Sequence, residues 1–187
     1  MNNSNLNSNE YFPTVDKSID DLVQALKENN NSNFTSIITS TYLSIHTLEE
    51  YSSWSDECYT RNCIEENEKF ELILLCWEKG QQTPIHDHGG EECWVKIING
   101  EFKETIFKTT ESGELEVENS FVLKEDEISY MIDFMGFHSI ENISDGRSMS
   151  LHLYAKPIRN CNIFDEDLKT FEMKNLQYDT ICEKLKK

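Results

Sequence analysis

The N-terminal part of the chain has the spacing of apolar residues that is typical of an amphipathic helix. Within residues 16–30, apolar side chains recur at positions i, i+3, i+4 and i+7 from Ile19 to Leu26, which places them on one face. Ser18 and Asp21 resemble a capping box at the start of this pattern. The sequence therefore predicts a helix with one buried side.

Two shorter helical segments are predicted after the first. Residues 34–42 have a helical pattern that is diluted by Thr and Ser, and Thr47 with Glu50 offers a capped start for a third helix. Together these segments predict a helical N-terminal part over about residues 16–54.

From about residue 70 the pattern changes to short apolar runs that are separated by turns containing glycine. Such runs, with Asn99-Gly100 and Asp145-Gly146 between them, are typical of antiparallel hairpins in a sandwich or barrel. Residues 171–174 are a candidate for one more strand. The predicted strands cover residues 71–77, 93–98, 102–107, 128–132 and 149–154.

These patterns predict a mainly β protein with a small helical cap at its N-terminus. The β region, a barrel or sandwich, covers about residues 70–175. Residues 1–10 are rich in Asn and Ser and have little to bury, so we expect a disordered tail there. The length of 187 residues favours a single domain over residues 11–187.

The charge of the chain argues against several classes of partner. Seventeen Lys and Arg against 35 Asp and Glu give a formal charge of −18, which repels phosphate backbones and anionic lipids. The longest apolar run, residues 72–77, is far shorter than the roughly 20 residues of a membrane span. We therefore expect no nucleic-acid or membrane partner and, without an extended apolar patch or heptads, a monomer.

The cysteines and the N-terminus indicate a reducing compartment. No basic segment followed by an apolar one opens the chain, so no secretory signal is predicted. The six cysteines include no Cys-x-x-Cys pair, and in the cytoplasm they are expected to remain thiols. The sequence thus predicts a cytoplasmic protein without disulfides or a structural zinc site.

The candidate chemistry begins with His86-Asp87-His88. Residues two apart in a strand project to the same side, so both imidazoles point one way and Asp87 points the other way. An isolated pattern of this kind is more often a surface accident than a ligand pair. Its significance therefore depends on the residues around it.

The surrounding residues resemble the two cupin motifs. Gly80, Cys93 and Gly100 frame the histidine pair with the spacing of the first motif, in which Cys93 takes the position of the usual glutamate ligand. His138 and Asn142 match the end of the second motif. The resemblance implies a jelly-roll fold with a metal held by His86, His88 and His138.

A site of three histidines has a chemical consequence of its own. Without a carboxylate ligand, the site is one unit more positive than the two-histidine, one-carboxylate site that is usual for oxygen-activating iron. A more positive metal centre favours an anionic ligand, and a thiolate is a soft one. Fe(II) and zinc both accept three imidazoles, so the residues alone leave the metal open.

A second group of polar residues lies near the end of the β region. In residues 148–154, strand alternation places Ser150, His152 and Tyr154 on the face opposite Met149, Leu151 and Leu153. A polar face of this kind fits the solvent side of a sandwich or the polar interior of a barrel. The pattern alone leaves both interpretations open.

Several segments resemble the eukaryotic-type cysteine dioxygenases. This family oxidises L-cysteine with O₂ to cysteine sulfinic acid at a three-histidine Fe(II) site, a step of cysteine catabolism. The resemblance implies that His86, His88 and His138 hold Fe(II), and that Arg61, with Tyr59 beside it, binds the substrate carboxylate. The segments are Tyr59-Thr-Arg-Asn62, Leu75-Cys-Trp77, Ile85-His-Asp-His88, Gly100-x-x-Lys-Glu-Thr105 and Ser150-Leu-His-Leu-Tyr154.

The same resemblance implies a cofactor made from the protein itself. Cys93 and Tyr154 match the pair that forms a thioether crosslink in this family, which would fix the phenol beside the metal. Ser150 and His152 match residues that orient the phenol. Trp77 matches an aromatic residue near the crosslink, and Cys161 matches a thiol near the entrance of the pocket.

Other interpretations stay open at this point. The substrate can be another small thiol, such as 3-mercaptopropionate or cysteamine, although cysteamine has no carboxylate for Arg61. A non-catalytic metal-binding cupin is an alternative of a different class, and oxygen uptake on adding L-cysteine separates it from an enzyme. Taken singly, Arg61 fits a surface arginine and Cys93 fits a core filler. Their joint occurrence in the right order favours the dioxygenase.

Overall fold

The computed structural model describes residues 18–132 and 135–181. The helices are α1 (Ile19–Glu28) and α2 (Phe34–Ser40), with 3₁₀ segments at Asn31–Asn33 and Ile45–Tyr51. The predicted tail over residues 1–10 lies outside the described residues, as does the end of the chain after residue 181.

The predicted start of α1 is confirmed. The Ser18 hydroxyl accepts a hydrogen bond from the Asp21 amide at 3.1 Å, and the Asp21 carboxylate accepts one from the Ser18 amide at 3.1 Å. The capped start at Thr47 is wrong. The turn begins at Ile45, and the Thr47 hydroxyl donates to the carbonyl of Ser44, because short Thr side chains compete for nearby backbone acceptors.

Eleven strands are present among the described residues. The predicted runs correspond to β2, β3, β4, β6 and β8, and residues 171–174 fall in β10. The first strand begins at Thr60, ahead of the predicted start near residue 70. The strands are β1 (Thr60–Glu66), β2 (Glu71–Trp77), β3 (Cys93–Asn99), β4 (Glu101–Thr109), β5 (Leu115–Lys124), β6 (Ile128–Met131), β7 (Phe137–Asn142), β8 (Ser148–Tyr154), β9 (Asn160–Asp165), β10 (Thr170–Asn175) and β11 (Thr180–Ile181).

The strands form a sandwich. A six-stranded sheet has the order β11-β1-β2-β8-β3-β6, a three-stranded sheet has the order β5-β4-β7, and β9 pairs with β10. Neighbouring strands run antiparallel except β1 and β11, which are parallel. Of the two predicted architectures, the sandwich describes this arrangement, because the sheets do not close into one barrel.

Strands β2 and β8 are buried along their whole length because both of their faces are covered. On one face, Leu72 and Leu74 pack in the same cluster as Leu22 of α1 and Phe34 of α2. On the other face, alternate β2 residues such as Leu75 pack in the core between the sheets. This double coverage explains why β2 is a continuous apolar run rather than an alternating one.

The hairpins that we expected at Asn99-Gly100 and Asp145-Gly146 are wrong. The first turn connects β3 to β4 and the second connects β7 to β8, and in each case the two strands belong to different sheets. Gly100 has φ +92°, and a Cβ there would lie 2.2 Å from the Ser148 hydroxyl. The absence of a side chain at Gly100 therefore lets the chain pass tightly from one sheet to the other.

Two further expectations concern membrane-spanning helices and the state of the cysteines. No helix in residues 18–132 and 135–181 is long and apolar enough to cross a membrane. Five cysteines within this part of the chain are free thiols, at positions 58, 63, 76, 93 and 161.

Candidate active site

The three histidines that sequence analysis singled out converge from two segments of the chain. His86 and His88 lie on the extended segment between β2 and β3, and His138 lies on β7. The backbones of His86 and His138 exchange two hydrogen bonds of 2.9 Å. This antiparallel bridge places the two rings side by side, with their centroids 4.6 Å apart.

The alternation expected for His86-Asp87-His88 is present. Asp87 points away from the histidines, and its carboxylate accepts hydrogen bonds from the backbone and side-chain amides of Asn162 at 2.9 and 2.6 Å. The Nε2 atoms of His88 and His138 are 3.0 Å apart. One ligand nitrogen from each histidine lies within 4.8 Å of those of the other two.

This donor set fits a metal ion. The Nδ1 of His86 donates to the carbonyl of Pro84 at 2.9 Å, which leaves its Nε2 with a free lone pair. Burial, then the neighbouring His138, lowers the pKa of His86 to about 3, and burial lowers the pKa of His88 well below its usual value. Neutral imidazoles are the form that binds metal. The cluster can therefore hold a metal ion.

The spacing of two of these nitrogens supports the same conclusion. Two imidazole nitrogens at about 2.1 Å from one ion and at right angles lie about 3.0 Å apart. The Nε2 atoms of His88 and His138 have this separation, and both side chains are almost completely buried. When neither nitrogen carries a proton, as metal binding requires, the two facing lone pairs repel each other unless a cation lies between them.

A small cavity of about 30 Å³ lies next to the histidines, between the sheets. His86 forms part of its wall, and the remaining wall is both polar and apolar. The other lining residues are Tyr59, Arg61, Leu75, Thr83, Pro84, Ile140, His152, Tyr154, Ile158, Cys161, Ile163 and Leu176. The cavity thus connects the histidine cluster to most of the other residues that sequence analysis selected.

Arg61 presents an unsatisfied cationic group to this cavity. Its backbone is fixed by Asp179, whose carboxylate accepts from the Arg61 amide at 2.7 Å and whose amide donates to the Arg61 carbonyl at 2.8 Å. The Nε and Nη2 atoms are buried without a hydrogen-bond partner among the described residues. A buried charge without a partner is costly, so this edge of the guanidinium fits an anionic ligand.

The polar face of β8 lies in the interior, which decides between the two interpretations left open by the sequence. Ser150 and His152 are buried, at 0% and 3% exposure. The indole N–H of Trp77 donates to the Ser150 hydroxyl at 3.0 Å, and this hydroxyl lies 2.9 Å from Nε2 of His152. If the hydroxyl uses its proton on Nε2, then Nδ1 of His152 carries a proton.

Cys93 and Tyr154 lie directly opposite each other on β3 and β8. Both side chains are buried, and burial, then the neighbouring Cys93, raises the pKa of Tyr154. Burial likewise raises the pKa of Cys93. The Tyr154 ring is 5.7 Å from that of His88. Cys93 also packs with Val95 in the core, so its interpretation as core filler is compatible with a place at the site.

Tyr59 and Cys161 complete the set of expected residues. The Tyr59 ring stacks on Trp77 with centroids 4.5 Å apart, and Tyr59 lines the cavity next to Arg61. Cys161 lines the cavity from β9, and burial raises its pKa to about 11. The structure thus brings all the sequence-selected residues to one cavity or to its immediate surroundings.

The comparisons with known proteins identify the family. The sequence profile described as "Cysteine dioxygenase type I" matches residues 1–167. The chain belongs to this family. This confirms the resemblance found in the sequence.

Individual cysteine dioxygenases match the chain over part of its length. Human cysteine dioxygenase type 1 is 38% identical over 120 residues, which cover 62% of this chain and 60% of the human protein. The zebrafish (Danio rerio) protein is 37% identical over 123 residues, which cover 63% of this chain and 61% of that protein. The chain therefore spans about six tenths of the length of the relatives it matches.

A solved structure supports the fold. A Klebsiella pneumoniae protein with a double-stranded β-helix domain superposes with a TM-score of 0.50 at 15% identity, covering 68% of this chain and 87% of that one. The prediction of a mainly β, cupin-type jelly roll is confirmed by this likeness and by the family membership.

Two residues of this cysteine dioxygenase family member were missed by sequence analysis. Glu104 on β4 is completely buried, and its carboxylate lies 2.6 Å from Nδ1 of His138. Asn162 holds Asp87 and thereby the extended segment that carries His86 and His88. Strand alternation with Phe102 carried a signal for Glu104, because both residues face the interior of β4. No sequence signal connected Asn162 to a residue 75 positions away.

Proposed function

We propose that this protein oxidises L-cysteine with O₂ to cysteine sulfinic acid. In this reaction the thiol and O₂ combine, and both oxygen atoms end on the sulfur. The observation that carries the proposal is the unpaired edge of Arg61 on the wall of the cavity that His86 also lines. A small thiol with a carboxylate offers one group to Arg61 and the other to the histidines.

The metal proposed for the site is Fe(II), held by His86, His88 and His138. When bound, Fe(II) supplies the redox chemistry by which O₂ reacts with the thiol sulfur. Zinc accepts the same three imidazoles but has no redox chemistry. The choice of iron therefore follows from the proposed reaction, and the ligand set is compatible with it.

Arg61 is proposed to orient the substrate. Its Nε and Nη2 atoms lie on the same edge of the guanidinium and can bind both oxygens of one carboxylate. Tyr59 supports this wall of the cavity by stacking on Trp77. Held in this way, the substrate directs its thiol toward the histidines. Cysteamine lacks the carboxylate, so L-cysteine or 3-mercaptopropionate fits this contact better.

Tyr154 and Cys93 are proposed to form a thioether during turnover. A bond between Sγ and an ortho carbon of the phenol forms as two protons and two electrons leave, and O₂ is the oxidant. The support is the direct pairing of the two residues on adjacent strands and the burial of both side chains. His152, held through Ser150, packs against the phenol with centroids 6.3 Å apart and is proposed to keep it in place.

Replacing Tyr154 with phenylalanine should slow turnover without releasing the metal, because the phenol is not one of the three proposed ligands. It should also remove any crosslink to Cys93, since the activating hydroxyl is lost. Intact mass after turnover measures the crosslink, because the linked protein is lighter by two hydrogen atoms. Tyr130→Phe is the control, because Tyr130 is exposed and its hydroxyl donates to Glu92. This variant should keep the crosslink. If the loss of two hydrogen atoms persisted in Tyr154→Phe, the crosslink would have to involve residues other than Tyr154.

Mass spectrometry of the product tests the proposed reaction directly. The iron-loaded protein, given L-cysteine under ¹⁸O₂, should release cysteine sulfinic acid that carries two labelled oxygens. If 3-mercaptopropionate were turned over faster than L-cysteine under the same conditions, the proposed substrate would change and the proposed reaction would stand. An iron-loaded protein that takes up no oxygen with either thiol would instead be a non-catalytic metal-binding cupin.

The monomeric state and the cytoplasmic location stay predictions. Light scattering on the purified protein measures the first, and fractionation of cells that express the full chain measures the second.

A further inference from the structure

Glu104 is a buried acidic residue that the proposed reaction does not use. It lies on β4 opposite Ile140 of β7, which places it behind His138, and its exposure is 0%. Its Oε1 lies 2.6 Å from Nδ1 of His138. Its Oε2 is also buried and has no hydrogen-bond partner among the described residues.

This environment is unfavourable for a carboxylate unless positive charge lies nearby. Burial removes the hydration of the carboxylate, and one hydrogen bond does not compensate for it. None of the described ion pairs gives Glu104 a Lys or Arg partner, and its only partner there is His138. A metal ion on the opposite side of the His138 ring would supply the missing positive charge.

We propose that Glu104 is a positioning residue of the metal centre. Its carboxylate accepts the Nδ1 proton of His138, which fixes the tautomer whose Nε2 faces His88. The carboxylate also places a negative charge next to a ligand set in which no imidazole carries one. This inference rests on the proposed function, because it assumes that the three histidines hold the metal.

The contact has two measurable consequences. Carboxylates behind a histidine ligand raise its basicity, and their loss costs about 10- to 100-fold in metal affinity. A more basic ligand also stabilises Fe(III) relative to Fe(II). Glu104 is therefore expected to tighten metal binding and to lower the Fe(III)/Fe(II) potential.

Glu104→Gln tests both consequences, because glutamine keeps an oxygen that accepts from Nδ1 but removes the charge. Anaerobic titration with Fe(II) should show about 10- to 100-fold weaker binding than in the unaltered protein, and the potential of the iron form should rise. Glu101→Gln is the matched control, since Glu101 starts the same strand with an exposed side chain. It should change neither quantity.

Each outcome separates this inference from the proposed function. Equal affinity and potential in Glu104→Gln and in the unaltered protein would overturn the role of Glu104, while the metal site would stand. An unaltered protein that binds no Fe(II) would overturn the proposed function itself.

A second measurement does not depend on the folding of the variant. Nitrogen NMR of the unaltered, zinc-loaded protein with ¹⁵N-labelled histidine should show the proton of His138 on Nδ1 and the metal on Nε2. The opposite tautomer would overturn the proposal.

Discussion

His86→Ala should lose iron binding and cysteine oxidation together. The variant removes one of three proposed ligands but leaves the bond between His138 and Glu104, and the replaced side chain faces the cavity rather than the apolar core. Metal content after anaerobic loading and the yield of cysteine sulfinic acid measure the two losses. Thermal unfolding gives a readout without turnover, because metal at 100 times its Kd stabilises the folded protein by about 2.7 kcal/mol. This corresponds to about 5–10 °C for a chain of this size, and His86→Ala should lack the increase.

His46→Ala is the matched control for this loss. The His46 side chain is 81% exposed and pairs only with Glu49 at 2.9 Å among the described residues. It should keep the metal, the activity and the metal-induced rise in melting temperature. If His86→Ala bound iron as tightly as the unaltered protein, the assignment of the three ligands would be wrong.

The sequence was most informative where local periodicity is the physical cause of the structure. The faces of β8 follow from strand alternation, so Ser150, His152 and Tyr154 could be grouped without knowing what covers them. The same rule joined His86 to His88. Whether the polar face met solvent or the interior depended on the opposing sheet, which local periodicity does not report.

Contacts between strands that are distant in sequence were harder to predict. The Asn99-Gly100 turn has the residues of a hairpin, but the chain uses its positive φ to cross between sheets. Strand β1 was missed because its polar residues have partners distant in sequence. Asn62 donates to the carbonyl of Leu74, and Arg61 faces the cavity. A strand that carries a binding residue loses the apolar alternation by which strands are recognised.

Parts of the site itself were found through motifs rather than periodicity. His138 is 50 residues from His88, and only the second cupin motif connected them. Glu104 lies in the family-like segment Gly100-x-x-Lys-Glu-Thr105, but that segment gave it no role, and a charged residue in a strand is usually exposed. Its burial is explained by the ring of His138, which is a tertiary contact between β4 and β7.

Arg61→Ala should mainly raise the KM for L-cysteine. The unpaired Nε and Nη2 atoms are the buried cationic group on the cavity wall, and losing a charge-assisted pair costs about 1.5–3 kcal/mol. This corresponds to about a 10- to 150-fold rise in KM, with the iron still bound because the ligands are untouched. Arg147→Ala, which removes an exposed arginine paired with Glu78 at 2.7 Å, is the control and should leave KM unchanged. Steady-state oxygen uptake measures both variants. Unaltered cysteine kinetics in Arg61→Ala would show that the carboxylate is bound elsewhere, and the choice of an amino-acid thiol as substrate would lose its main support.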